Sequence, residues 1–447
     1  MAKSKAKQPP KRSKRVARSK KVGHHHDPLE FPKGFLWGAA TSAHQVEGNN
    51  IHNDWWAWEQ RKGSIETGEV SGRATDHYNR YEEDFELAQK LHHNAHRLSV
   101  EWSRIEPEEG QWDWDEVEHY RDVLQSLKER GMSPAVTLHH FTSPQWIALK
   151  GGWANDETPL LFARYAEFLA EHLGEYVDHW ITINEPMIYI TQCYRQAVWP
   201  PQDKNRWRMV KAFRNMVRGH KMAYREIHAE LGKQKREASV GIAKNVISME
   251  SYHDSFADYL FIRFSEYVWN HLFFSKTRRY HDFIGVNYYL HQRVRRDGNT
   301  RFHLVDVRKD EQRETSSLGW EVYAPGFFDA LMDMSRYKKP IFITENGIAA
   351  DNDDKRSRFI VSHLKEMYHA IKAGVDVRGY FHWSLLDNFE WDKGFTPRFG
   401  LVDVNYNTFK RTPRPSAYVY ANICKDNAIS HDLLRFIGHG VHKEKRS

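Results

Sequence analysis

Cysteine is nearly absent: Cys193 and Cys424 are the only two in 447 residues, and they lie far apart. So sparse a pair excludes a disulfide framework and fits a chain that works in a reducing compartment. Long apolar runs are missing as well. No stretch approaches the roughly 18 consecutive apolar residues of a membrane span, and residues 1–21 lack the apolar segment of a secretory signal. These absences together predict a cytoplasmic location and no membrane partner. No glycine-rich phosphate loop follows the first strand-like segment, which argues against an open, doubly wound dinucleotide fold.

Acidic residues are absent from 1–21, where ten Lys and Arg fall. The chain has 66 basic and 59 acidic residues, so the remainder holds 56 bases against 59 acids and is slightly negative. Attraction to nucleic acid or another polyanion therefore belongs to residues 1–21 alone. The segment 1–27 is predicted to be a disordered basic tail, with a solvated arm as the plain reading and weak polyanion binding as the alternative. The histidines at 24–26 are too few for a structural site, and no metal is assigned.

Aromatic residues are plentiful, at 14% with 16 Trp. Most of them suit a large core. Some suit a pocket for a flat, hydroxyl-rich ligand such as a sugar, whose C–H faces stack on rings. Strand-like segments at 35–42, 95–101, 133–138, 180–184, 239–246, 283–289, 341–344 and 377–383 alternate with segments of helical spacing. The latter fall at 77–93, 115–130, 159–173, 208–231, 255–273, 324–335, 355–372 and 413–424. Such alternation implies parallel strands joined by right-handed crossovers. Polar residues at the ends of nearly all eight strands favour a closed (β/α)8 TIM barrel over an open sheet. The chain thus divides into the tail 1–27, one α/β barrel over 28–426 and a C-terminal extension over 427–447.

Two strand ends organise the chemistry. Residues 340–347, PIFITENG, carry Glu345 where an apolar run breaks, and residues 180–186, WITINEP, carry Glu185 before Pro186. In a closed sheet the two meet across the barrel mouth. Breaking an acetal needs a proton for the departing oxygen and a group to capture the developing cation, and two carboxylates in different environments do both. Arg97, inside a buried strand, must be paired, and with a tyrosine hydroxyl it would keep Glu345 ionised as nucleophile. Glu185, with no evident cation beside it, would hold its proton as general acid and then act as base. Carboxyl groups about 5–5.5 Å apart retain configuration, and about 6.5–9.5 Å apart invert it. Gln45, at the first strand end, offers an amide donor and acceptor. On these residues alone, other barrel enzymes remain open.

The set FLWG at 35–38, QVEG at 45–48, TINEP at 182–186, NYY at 287–289, ITENG at 343–347 and WSLLDNFEW at 383–391 resembles glycoside hydrolase family one, in collinear order over 31–424. These are the retaining β-glucosidases and β-galactosidases. The resemblance implies Glu185 as acid/base and Glu345 as nucleophile of a double displacement through a covalent glycosyl-enzyme, with no cofactor. It implies that Gln45, His140, Asn184, Glu390 and Trp391 hold sugar hydroxyls, that Trp383 floors the ring, and that Trp320 supports the leaving group. Tyr289, Arg97 and Asn287 are expected to orient Glu345. The expected substrate is a neutral terminal β-D-glucoside, with β-galactosides and β-fucosides as side activities, since Glu390 would repel a phosphorylated sugar. Transglycosylation through the same intermediate is the alternative within enzymes. A weakly active barrel whose tail binds polyanions is the alternative outside them.

Three departures from the family stand out. Phe141 occupies a position where a Trp commonly follows the sugar-binding His, the turn after 198–201 lacks the usual small residues, and the span 245–283 is short. The last predicts a thinned wall around the fifth and sixth strands. The aromatics between 259 and 274 are expected to be core, with a planar apolar ligand such as a porphyrin as the second reading.

Overall fold

The structure, a computed structural model, describes residues 28–251, 256–297, 301–304 and 313–438. The basic tail, including 1–21 and the histidines at 24–26, lies outside the described residues, as does 439–447. Eight parallel strands close into a barrel in chain order: β1 (Leu36–Ala40), β2 (Ala95–Ser99), β3 (Ser133–His139), β4 (His179–Asn184), β5 (Val240–Asn245), β6 (Ile284–Tyr288), β7 (Ile341–Asn346) and β8 (Val377–Trp383). Pairing of Gly379 to Trp383 with Leu36 to Ala40 completes the closure.

The crossovers are α1 (His77–Lys90), α2 (Trp114–Glu129), α3 (Thr158–Leu173) and α4 (Arg206–Lys233) for the first half. Between β5 and β6 run α5 (Phe256–Glu266), a π-helical turn (Tyr267–His271) and α6 (Leu272–Thr277); α7 (Ala324–Met334), α8 (Asp353–Lys372) and α9 (Pro415–Asp426) follow. Local chemistry explains their faces and ends. In α2, Val117, Tyr120, Leu124 and Leu127 recur at helical spacing and are buried, while the Asp113 side chain caps the start by accepting from the N–H groups of Asp115 and Glu116.

The barrel interior packs Ala40, Ala95, Ala135 and Ala243 against Phe283, Phe342 and Phe381. Small residues on some strands make room for rings from others, the solution that an eight-stranded barrel requires. Outside it, Leu98, Val136, Ile183, Ile242, Val286 and Ile343 join the core shared with the helices. At Gly38 a Cβ would stand 2.2 Å from the Ala95 carbonyl oxygen, so β1 approaches β2 this closely only with glycine there.

Three features differ from expectation. A three-stranded sheet of Ser248–Ser251, His291–Asp297 and Arg301–Leu304, unforeseen in the sequence, follows the ends of β5 and β6. The segment expected to begin an extension at 427 packs onto the barrel's core: Ala428–Ile429 pairs antiparallel with Leu29–Glu30 in a separate two-stranded sheet, and Ile429 and Leu433 are core. The aromatics between 259 and 274 divide. Phe273 and Phe274 are fully buried, while Tyr259, Phe264 and Tyr267 are exposed. Helical spacing sends them to different faces, so they line no common slot and the planar-ligand reading gains no support. Among the described residues no helix is long and apolar enough to cross a membrane.

Candidate active site

A cavity of about 210 Å³ opens at the C-terminal ends of the strands, and both glutamates line it. Glu345 lies near the end of β7, where the register slips against both β6 and β8 between Ile343 and Asn346. Such a slip turns a side chain that regular pairing would aim elsewhere. Arg97, fully buried in β2, donates from Nη1 to Glu345 Oε1 (2.5 Å) and to the Thr344 carbonyl (3.0 Å). Its other nitrogens donate to Asn184 Oδ1 (2.8 Å) and Thr137 Oγ1 (3.2 Å), so every side of the guanidinium is engaged. The Tyr289 hydroxyl donates to Glu345 Oε2 at 2.6 Å. Each carboxylate oxygen thus has a donor, one of them cationic. Burial first, and the Glu345 charge second, push the Tyr289 hydroxyl well above its ordinary range and keep it a donor.

Glu185 is held differently. It follows β4 with φ 45° and ψ 58°, and Pro186 opens the short helix Pro186–Ile190. The residue before a proline is disfavoured in the right-handed helical region. Left-handed backbone at a non-glycine residue costs on the order of 1–3 kcal/mol, a cost this strand-to-helix junction sustains. The Glu185 N–H donates to the Ala243 carbonyl (2.8 Å), tying the junction to β5. Asn287 donates from Nδ2 to Glu185 Oε1 (2.8 Å) and to Asn184 Oδ1 (3.2 Å), while its Oδ1 accepts from Thr344 (2.6 Å). Asn287, expected to orient the nucleophile, therefore serves the other carboxyl. It is level with Glu345 in the pairing of β6 and β7, yet its amide turns toward β4.

Burial, and then repulsion from Glu345, raise the Glu185 carboxyl to about 8, against the pull of the Asn287 hydrogen bond, Lys244 and Arg97. The expectation of no cation beside Glu185 is corrected here: Lys244, on β5, is fully buried and acts on it. The surroundings still separate the two acids as their chemistry needs, one paired with a guanidinium and a hydroxyl, the other buried and biased toward keeping its proton.

The residues expected to meet sugar hydroxyls gather around this pair. Gln45 donates from Nε2 to the Phe389 carbonyl (2.9 Å), Asn388 Oδ1 (3.0 Å) and Glu390 Oε2 (3.4 Å), which binds the first strand end to the last. Burial first, and then Glu345 and other nearby carboxylates, raise Glu390 to about 8. His140 is pushed well below its ordinary range by burial and then by Arg97 and His139. Its neutral ring accepts at Nε2 from Asn184 Nδ2 (3.3 Å). The same ring lies 5.9 Å from Trp383 and 6.1 Å from Trp391, nearly parallel to both. Trp320 lines the cavity and meets Tyr289 edge to face at 5.8 Å. All the expected site residues except Arg97, Asn184 and Asn287 line the cavity directly, and those three lie behind it.

Sequence reasoning did not assign cavity roles to Asn245, Trp199 or Phe399. Asn245 ends β5 as the known candidates end their strands, and that position was the available signal. Phe141 lines the wall at φ 72°, packed 5.0 Å from Trp199 and 5.3 Å from Trp391, with no indole N–H to offer a ligand. The thinned wall after β5 is secured rather than open: Trp269 Nε1 donates to Asn245 Oδ1 (3.0 Å), and the Asn270 amide bonds both polar groups of the Ile247 backbone.

Two carboxyls in unlike surroundings, facing one cavity among indoles and amides at the mouth of a parallel barrel, define a glycosidase that works by acid–base and nucleophilic catalysis. A family profile for Glycosyl hydrolase family 1 matches residues 28–278 and 274–429, and the chain belongs to that family; it is a retaining β-glycosidase. It is 31% identical to beta-glucosidase A of Thermotoga maritima over 90% of this chain and 99% of that one. It is 32% identical to a beta-galactosidase of Pyrococcus woesei, over 91% of this chain and 100% of that one. Among solved structures it resembles a beta-glycosidase from Pyrococcus horikoshii at 40% identity and TM-score 0.85, covering 93% of this chain and 99% of that one.

Proposed function

We propose that the chain removes the terminal β-linked glucose from neutral β-glucosides, with Glu345 as nucleophile and Glu185 as acid and then base. In the first step Glu345 bonds the anomeric carbon, the glycosidic C–O bond breaks, and the Glu185 proton goes to the departing oxygen. In the second, Glu185 takes a proton from water, which attacks the same carbon and releases Glu345. The observation that carries the reading is the unequal treatment of the two acids: Arg97 and Tyr289 on Glu345, burial and the Glu345 charge on Glu185. Gln45, Glu390, His140 and Trp391 receive the sugar hydroxyls, with Asn184, expected among them, behind His140; Trp383 lies under the ring and Trp320 beside the leaving group. The amide and carboxylate pair of Gln45 and Glu390 accepts equatorial or axial hydroxyls, so β-galactosides and β-fucosides are secondary substrates. The two carboxyls complete the chemistry with no cofactor, in one catalytic unit from 28 to 437 that works in the cytoplasm.

A panel of aryl β-glycosides with graded leaving groups tests this. Glu185→Ala is expected to lose roughly 10²–10⁴ in kcat/KM on poor leaving groups and far less on activated ones, with azide restoring turnover as the β-glycosyl azide. Glu345→Ala is expected to lose turnover on every member. Wild-type rates in either variant would overturn the assignment.

A further inference from the structure

The helix α5 is built the wrong way round for the surface of a single copy. A surface helix ordinarily turns its apolar stripe to the core and its charges to water. In Phe256–Glu266 the Asp258 carboxylate is buried, where the Ser251 hydroxyl donates to it (3.3 Å), whereas Phe256 is 77% exposed and Phe264 67%. Tyr259, Leu260 and, one residue past the helix, Tyr267 are exposed as well. Together these five side chains leave on the order of 600 Å² of mostly apolar surface in water. That matches the largest patch of an ordinary monomer and supplies most of the roughly 800 Å² that one side of a standard protein interface buries.

The order of the exposed residues indicates what covers them. From 256 to 267 they are Phe256, Tyr259, Leu260, Arg263, Phe264 and Tyr267, and their spacings of three, one, three, one and three read alike in both directions. Laid antiparallel on a second copy, about a two-fold axis between Phe261 and Ile262, the set falls on itself. Phe256 then meets Tyr267 of the second copy, Tyr259 meets Phe264, and Leu260 meets the aliphatic stem of Arg263. A two-fold contact needs a surface that maps onto itself in this way, and side chains four apart, as at 256, 260 and 264, form the ridge by which helices pack on one another. A groove of about 440 Å³ beside the helix, walled by Met249, Phe256, Tyr259 and Ile262, gives the rings of the second copy a place to sit.

Other occupants fit less well. A helix that lies on a membrane surface is rich in Lys and Arg on its polar face. The single basic residue of α5 is Arg263, which is paired with Glu266 (3.1 Å), and the chain beyond residue 21 holds 56 bases against 59 acids. Residues 1–27 and 439–447 contain no aromatic residue and offer no ring to fill the groove.

We propose that α5 is the contact of a homodimer, in which two copies pack their Phe256, Leu260 and Phe264 ridges antiparallel across a two-fold axis. The contact falls on the short span between β5 and β6, the same span in which Trp269 holds Asn245 of the cavity wall. Sedimentation equilibrium of the full chain over a range of concentrations is expected to give twice the chain mass of 52.9 kDa. Phe264→Asp, at an exposed position, is expected to raise the dimer dissociation constant roughly 30-fold or more with an unchanged circular-dichroism spectrum. Two further variants test the register. Leu260→Arg sets a like charge against Arg263 of the second copy and should separate the copies, whereas Leu260→Glu gains that guanidinium as a partner and should leave the dimer intact. A wild-type chain that is monomeric at every concentration overturns the proposal, and flotation of that monomer with phosphatidylcholine vesicles would assign the face to a membrane instead. A dimer that survives both Phe264→Asp and Leu260→Arg overturns it too, because its contact then lies elsewhere, and equal disruption by Leu260→Glu and Leu260→Arg overturns the antiparallel pairing.

Discussion

Tyr289 makes the clearest single contribution to the charge of Glu345. Its O–H reaches one carboxylate oxygen at 2.6 Å while Arg97 takes the other. Hydrogen bonds to a charged group contribute about 1.5–3 kcal/mol, so Tyr289→Phe is expected to lower kcat/KM roughly 10- to 100-fold without loss of fold, as steady-state rates and a thermal melt would report. The residue scale is also where the sequence was most and least informative. Glu185, Glu345 and Gln45 were legible because each ends or follows a strand pattern, whereas Glu390 came only from the family resemblance, which also supplied roles for the others. Lys244 was not, because a lysine next to the end of a strand reads as a solvated edge, whereas here it is fully buried with its ammonium 5.5 Å from the Trp269 ring. Asn287 was legible as a site residue but attached to the wrong carboxyl. Pairing register places it level with Glu345, and no spacing along the chain says which way its amide turns.

At the scale of elements, the site depends on how β7 and β8 close upon one another. The Gly347 that follows Asn346 has no room for a side chain: a Cβ there would sit 1.8 Å from the Trp383 carbonyl oxygen. Gly347→Ala must therefore push apart the strand ends that carry Glu345 and Trp383. A cost of about 1–3 kcal/mol is usual for such overpacking. Both the melting temperature and kcat/KM are expected to fall, and wild-type values for the pair would refute the tight approach. The eight barrel strands were legible in the sequence because apolar runs of strand length recur between amphipathic helices. The sheet formed by Ser248–Ser251, His291–Asp297 and Arg301–Leu304 was not. Its segments are polar and one of its pairings joins strands distant along the chain, while the Asp297-Gly298 dipeptide between the other two, a hairpin signal, lies among charged residues with no apolar alternation to mark them as strands. The role of Ala428–Ile429 was hidden for a related reason, since two residues are too few to show a period.

Across the whole molecule, burial of neutral histidines sets how the fold answers to acid. Burial pushes His93, His139 and His363 down to about 3 and His220 to about 4. Each is neutral when folded and takes a proton in the unfolded chain below about pH 6.5. The unfolded state then binds more protons, so the stability these groups confer is complete above that pH and declines as pH falls toward their folded values. The decline is at most about 1.4 kcal/mol per pH unit for each histidine. Asp84 adds a later loss. Burial opposes its ionisation, but hydrogen bonds from Arg411 and His77 outweigh that and hold it below the usual carboxylate range, so its contribution disappears only in stronger acid. Urea unfolding at pH 7, 6 and 5 should give a steadily falling midpoint, and equal midpoints would contradict the neutral burial of these rings. The pairing of Leu29–Glu30 with Ala428–Ile429 has a consequence of another kind. Because the outermost β pairing brings head and foot of the catalytic unit side by side, the polypeptide is nearly a circle with one seam. Stitching that seam with a short linker and reopening the path at Gly131, an exposed turn with nothing crowding it, yields a permutant that keeps all eight staves and both acids, and it should cleave the same substrates.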